Sequence, residues 1–175
     1  LSQYRYQKGI DATPSYEQYI NEYLNDQIQF LNLLKPDIKK NVITKLSYDF
    51  ENSLKDRIEK IRSECEIAVR EGSSTLILSD KNLSTSRASI PTILAVGAVH
   101  SHLVKLGLRG YCSINVESSD ALDTHAFAVL IGVGATTVNP YLAIDSIFQR
   151  FEKKLFGKLD FEECVYRFKK SIDAG

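Results

Sequence analysis

Asp80, Glu117 and Asn139 are the side chains whose placement could carry chemistry. Each directly follows a short run of apolar and β-branched residues: Thr75 to Ser79, Tyr111 to Val116 and Thr136 to Val138. In parallel α/β folds the loops that leave the C-terminal ends of the strands carry ligands and reacting groups, so these three residues are expected along one edge. Two carboxylates there could act as general acid and general base, provided their surroundings hold the two pKa values apart. Asp and Asn at such turns also cap following helices and tie loops together. Both readings stay open from the residues alone.

The three histidines, His100, His102 and His125, raise the question of a metal. His100 and His102 lie two apart on a predicted helix, roughly 200° around its axis, which is poor geometry for gripping one ion. Satisfied core or interface histidines are the competing reading. Gly132 and Gly134 form a G-x-G, but they follow a helix and precede a strand. A pyrophosphate fingerprint needs the reverse order, so that the phosphates meet a helix N-terminus. A Walker-type lysine loop, a G-x-S-x-G elbow and a C-x-x-C pair are all missing from the chain. Cys65, Cys112 and Cys164 are odd in number and widely spaced, which reads as free, buried thiols.

Stepping from strand ends to strands and helices, the chain from Asn41 onward alternates short β-branched runs with longer stretches of helical spacing. Val42 to Tyr48 reads as a strand. Leu54, Ile58, Ile61, Cys65 and Ala68 recur at steps of three and four, which puts them on one helical face that Gly72 can end. Thr75 to Ser79 suits a strand buried on both faces. Pro91 opens a helix that runs to about Leu106 and stops at Gly107; it is apolar on most sides, which predicts burial under other elements. Ser118, Ser119 and Asp120 offer caps for a helix around His125 to Ile131, and Gly134 ends it. After Pro140 a helix carries Ile144, Ile147, Phe148 and Phe151. A last helix starts with Asp160 as cap and Glu163 three residues on, and buries Phe161, Val165, Phe168 and Ile172. The alternation predicts βαβ units, hence an α/β fold with a parallel sheet and right-handed crossovers.

The first forty residues are less regular. Thr13 and Pro14 start a helix whose Tyr16, Tyr19, Ile20 and Tyr23 share a face, and Pro36 breaks the apolar stretch from Ile28 to Leu34. The expected organisation is an N-terminal helical segment, 1–40, followed by an α/β domain, 41–175.

With 175 residues, 43% hydrophobic and 25% charged, the chain has room for one such domain with a substantial core. Lys and Arg total 22 and Asp and Glu total 22, so no electrostatic footprint for nucleic acid is present. No apolar run approaches the ~20 residues of a membrane helix, so no membrane partner is expected either, and the chain reads as soluble. It begins at Leu1 and contains no methionine, which reads as a segment of a longer polypeptide.

One further signal is longer than any motif. The stretches A-V-R-E-G-S-S-T-L-I-L-S-D, S-R-A-S-I-P-T-I-L-A-V-G-A-V-H-S-H-L-V-K-L-G-L-R and V-E-S-S-D-A-L-D-T-H-A-F-A-V-L-I-G-V-G-A-T-T-V-N-P-Y-L-A, between Ala68 and Ile147, strongly resemble the second half of the glutamate synthase central domain. The tail R-F-K-K-S-I-D-A-G resembles the helix that leads into that enzyme's FMN domain. Asp80, Arg87, Pro91, His100, His102, Glu117, His125, Asn139 and Tyr141 fall at familiar positions of the family. Ser101, Ala126 and Val133 depart from it, standing where members often carry histidine, histidine and tyrosine.

The resemblance implies a large subunit that hydrolyses glutamine at an N-terminal cysteine, passes ammonia through an internal tunnel, and reduces 2-oxoglutarate with it to glutamate at FMN. The central domain then connects the glutaminase and FMN domains of the same subunit as a rudimentary (β/α)-barrel-like sheet flanked by helices. It implies a cytoplasmic enzyme whose FMN and iron–sulfur cluster lie outside this chain, and no catalytic residue or metal here. Asp80, Arg87, His100, His102, Glu117, His125, Asn139 and Tyr141 become candidates for interface or tunnel contacts. The alternative is a free-standing α/β protein that binds a small phosphorylated or carboxylate ligand at the strand ends.

Overall fold

Short β-branched runs flanked by turn residues become strands here because each can bury one face under a helix while its backbone pairs with a neighbouring strand. The computed structural model describes residues 41–49, 53–81 and 87–175. The helix expected after Pro14 and the stretch Ile28 to Leu34 lie outside them. The described elements belong to one compact unit, Ile38–Gly175.

Four strands, β1 (Asn41–Lys45), β3 (Thr75–Ser79), β5 (Ser113–Glu117) and β6 (Thr137–Asn139), form a sheet in the order β1-β3-β5-β6, parallel at every step. Strands β2 (Ser47–Asp49) and β4 (Arg87–Ser89) make a separate antiparallel pair. The single strand expected from Val42 to Tyr48 is therefore two. Leu46 is the pivot: its N–H donates to Ser79 O (2.7 Å) and its carbonyl accepts from Ile90 N (3.1 Å), so beyond it the chain changes partner. The strand expected from Tyr111 starts at Ser113, because Arg109–Tyr111 close a single 3-10 turn first.

Between these strands run α1 (Leu54–Arg70), α2 (Thr92–Lys105) and α3 (Thr124–Gly132). Since the strand order follows the chain, crossovers of one hand place all three helices on one face of the sheet. That face holds the core: Leu76, Leu78, Ile114 and Val116 meet Ile61 and Cys65 of α1, and Val96, Val99 and Leu103 of α2. Burying each such aliphatic side chain contributes about 1.5–3 kcal/mol. Alternate residues point the other way, where Ile43 is 62% exposed and Thr137 donates to Asn115 Oδ1 (2.8 Å) across the sheet. β3 comes close to the two-sided burial expected of it, with only Ile77 half-buried.

Local chemistry explains the helix limits. Ser53 caps α1, accepting from Lys55 N (3.2 Å), and Gly72 at φ +92° ends it while Ser73 N returns to Ala68 O. Asp123, rather than Ser118, Ser119 or Asp120, caps α3 by accepting from Ala126 N (2.8 Å). The two serines are used elsewhere, as shown below. Helix α4 (Tyr141–Glu152) meets α5 (Phe161–Ala174) through Phe161, whose ring lies 5.4 Å from Phe148 and 5.9 Å from Phe151. Asp160 caps α5, accepting from Glu163 N (2.8 Å), but the Glu163 carboxylate turns away to Arg167 instead of closing the box.

Helix α2 departs from expectation. Thr92, Ala95, Val96, Val99 and Leu103 are buried, yet Ile93, Leu94 and Val104 are exposed. Nothing in the described residues covers its outward side.

Candidate functional site

In a parallel sheet, residues paired across neighbouring strands point to the same side. Lys45, Ser79, Glu117 and Asn139 occupy one such row at the C-terminal ends of β1, β3, β5 and β6. The row continues past the strands through backbone bonds, Asp80 N donating to Glu117 O (3.2 Å) and Ser118 N to Asn139 O (3.1 Å). Three of the strand-end residues expected on one edge are thus brought to it.

The side chains on this edge are tied to one another. Glu117 accepts from Ser79 Oγ at Oε2 (2.6 Å) and from Lys81 Nζ at Oε1 (3.0 Å). Asp80 is only 1% exposed; its Oδ2 accepts from both the N–H and the hydroxyl of Ser119 (2.8 Å each), and its Oδ1 has no hydrogen-bond partner. Tyr141, the first residue of α4, stands against this group, with Lys81 Nζ 5.2 Å from its ring centroid. Burial first, then the hydrogen bond and negative charge of Asp80, push the Tyr141 hydroxyl well above its ordinary pKa. Beneath them the hydroxyls of Thr92 and Ser118 are 3.1 Å apart and buried, joining the start of α2 to the loop after β5.

The remaining candidates lie elsewhere. Arg87 is on β4 and borders a cavity of about 600 Å³ shared with Lys45, Arg57, Lys60 and Glu64. Arg57 itself is committed, donating to Ser47 O, Lys45 O and Glu64. His102 Nε2 donates to Glu66 Oε2 (2.8 Å), joining α2 to α1; hydrogen bonds from Arg70 and then His102 hold Glu66 below the usual carboxylate range. His100 Nδ1 accepts from Arg109 Nε (3.2 Å), so its ring proton sits on Nε2. His125 is exposed in the first turn of α3. His100 and His102 take separate partners, and no group of three or more potential metal ligands occurs among the described residues. Cys65, Cys112 and Cys164 are free and buried, as expected. Burial raises all three thiols, Cys65 to about 12.

Sequence reasoning missed Ser79, Lys81 and Ser119, which complete the strand-end network. Ser79 was accessible to it, since strand register places Ser79 beside Glu117. It also missed Arg109, whose guanidinium additionally donates to Cys112 O (2.6 Å) and Gly134 O (2.9 Å). No spacing rule singles out that arginine.

Chemically, the edge is a fixed polar brace. Both Glu117 oxygens are engaged, and the Asp80 carboxylate is closed off from any solute. Asp80 and Glu117 are matched in number by Lys81 and by Lys45 of the same row, so the edge has no surplus positive charge to draw an anion.

A parallel sheet of four strands with helices in the connections is, as a class, an α/β domain. Residues 20–175 match the glutamate synthase central domain, and the chain belongs to that family. It is 50% identical over 123 residues to the glutamate synthase [NADPH] large chain of Azospirillum brasilense, covering 70% of this chain and 8% of that protein. The large chain of Bacillus subtilis is 43% identical over 155 residues, 86% of this chain and 10% of the relative. A ferredoxin-dependent glutamate synthase of Spinacia oleracea is 44% identical over 115 residues, 65% and 7%. The chain therefore spans a tenth or less of the length of these relatives. No helix of the described residues is long and apolar enough to cross a membrane.

Proposed function

We propose that this chain is a connecting scaffold within a glutamate synthase large polypeptide. It holds the glutaminase and FMN parts in register and contributes to the wall of the path that ammonia takes between them. The overall reaction is then glutamine plus 2-oxoglutarate, with two electrons and two protons, giving two glutamates. The observation that carries this reading is the closed strand-end network: Asp80 and Glu117 stand where an α/β enzyme keeps its reacting groups, and both are committed to Ser119, Ser79 and Lys81. The match of relatives named for NADPH and for ferredoxin supports it, because a part common to both need not touch the electron donor.

The residues present do not fit the cofactors of such an enzyme. FMN needs a phosphate cradle of open N–H groups at a helix start. Here the first-turn N–H groups of α3 and α5 are met by capping carboxylates, Asp123 and Asp160, and the residues leading into α2 and α4, R-A-S-I-P and T-T-V-N-P, contain no glycine turn. Carboxylates crowd the same edge. The three buried cysteines sit apart on α1, before β5 and on α5, which does not fit an iron–sulfur cluster. FMN and the cluster accordingly belong to other parts of the large polypeptide. The commitment of Ser79, Lys81 and Ser119 to these two carboxylates disfavours a free-standing protein that would bind a phosphorylated or carboxylate ligand at this edge.

The test uses the full-length large chain with Glu117→Ala, which releases Ser79 and Lys81. Glutamine hydrolysis alone, and reduction of 2-oxoglutarate with added ammonium, are expected to stay within about twofold of the parent, while glutamate formed per glutamine hydrolysed falls. Loss of reduction with added ammonium by ~100-fold or more at unchanged fold would make Glu117 a reacting group and overturn the proposal.

A further inference from the structure

We infer that the outward arc of α2 is a docking seam for an apolar helix from another part of the same large polypeptide. The inference rests on the scaffold reading and says which surface performs it. A helix on the outside of a domain ordinarily turns a polar side to water. On α2 the outward side is largely apolar as well as the inward one. Ile93, Gly97, Ser101 and Val104 lie within one arc, with Leu94 and Ala98 beside them, and the only charge there is Lys105 at the end of the helix. Ile93, Leu94 and Val104 are 44%, 43% and 52% exposed.

The two histidines of the helix stand at the margins of this arc and are spent on partners outside it. His102 is bonded to Glu66 of α1 on one side, and His100 accepts from Arg109 on the other. Neither is placed to hydrate the arc. Its relief suits a helix: small residues in the middle, bulky ones at either end. A Cβ built on Gly97 meets no atom within 4 Å. Such a trough lets a second backbone approach closely and seats a ridge of side chains.

The occupant is sought in the same polypeptide because this chain spans only 8% and 10% of its two NADPH-named relatives, leaving most of such a protein outside it. Absence of acidic residues and of all but one lysine from α2 calls for a neutral, apolar partner face rather than a charged one. A second copy of this chain is the competing occupant.

The experiment places one cysteine on the seam of the full-length large chain and follows maleimide labelling of that peptide by mass spectrometry, natively and in urea. Ser101→Cys is nearly isosteric, and Gly97→Cys adds a side chain into open space. Both are expected to label at least ~100-fold more slowly in the native large chain than in urea, at a rate independent of protein concentration. Labelling within about tenfold of the urea rate at both sites overturns the inference. Slow labelling that accelerates on dilution also overturns it, since a second copy would then be the cover. Fast labelling in a large chain that still couples glutamine hydrolysis to glutamate formation would remove the seam and leave the scaffold reading standing.

Discussion

Replacing Asp80 with asparagine and with alanine separates a structural carboxylate from a reacting one. Alanine removes the acceptor for two bonds of 2.8 Å, from the N–H and the hydroxyl of Ser119, together with the hydrogen bond to Tyr141. A hydrogen bond to a charged group is worth about 1.5–3 kcal/mol, but the half-buried hydroxyl can turn to another partner, so the stranded N–H dominates. Removing a buried charge offsets part of the loss, and we expect Asp80→Ala to cost about 2–3 kcal/mol. Asparagine keeps one oxygen for both Ser119 donors and puts an amide where Oδ1 now has no partner. Asp80→Asn is therefore expected within about 1 kcal/mol of the parent. Urea unfolding at pH 7 measures both. The same variant removes a negative charge beside Tyr141, so the alkaline titration of that tyrosine, followed in the ultraviolet, should move down toward the ordinary range. Equal destabilisation by Asn and Ala would refute the reasoning, because it would mean that the charge itself, and not its hydrogen-bonding shape, is required.

Gly134 sits at φ +117° with its hypothetical Cβ on the ring of His100. Gly134→Ala should cost about 3–5 kcal/mol, from backbone strain plus loss of the Arg109–His100 bond, and pairing it with His100→Ala should recover the steric part in a double-mutant cycle. Asp160→Ala removes the cap of α5 and should lower stability by about 1 kcal/mol, seen as a small drop in the urea midpoint. Cys65 is raised by burial from 9.0 to about 12. Its neutral form is favoured by the fold, so the stabilisation is complete below pH 9 and is lost as pH rises toward 12; Cys65→Ala should flatten that alkaline decline, read from urea midpoints across the range. Cys65 is fully buried with its thiol held neutral, so its alkylation at pH 8 should require unfolding.

How much of this was legible beforehand depended on whether a feature is local. β3 is read to the residue because an apolar run ended by Ser79 and Asp80 has one solution in a parallel sheet, and the α1 face and the Asp160 cap follow from spacing alone. The edge carrying Asp80, Glu117 and Asn139 was legible for the same reason, since strand direction decides it. What holds that edge was not: Lys81 reaches Glu117, and Ser119 reaches Asp80, across gaps of 36 and 39 residues. The serines that looked like caps for α3 are taken up elsewhere, Ser119 by Asp80 and Ser118 by Thr92 and the N–H of Asp120, which leaves Asp123 to do the capping. Arg109 was invisible because its partners are mostly backbone carbonyls, which carry no residue type. The α2 discrepancy has a different origin. Periodicity reports how much burial a helix demands, and Ile93, Leu94 and Val104 demand more than the described residues supply. The chain is a tenth or less of its relatives, and the labelling of the seam on α2 checks whether the unmet part of that demand is supplied from outside it.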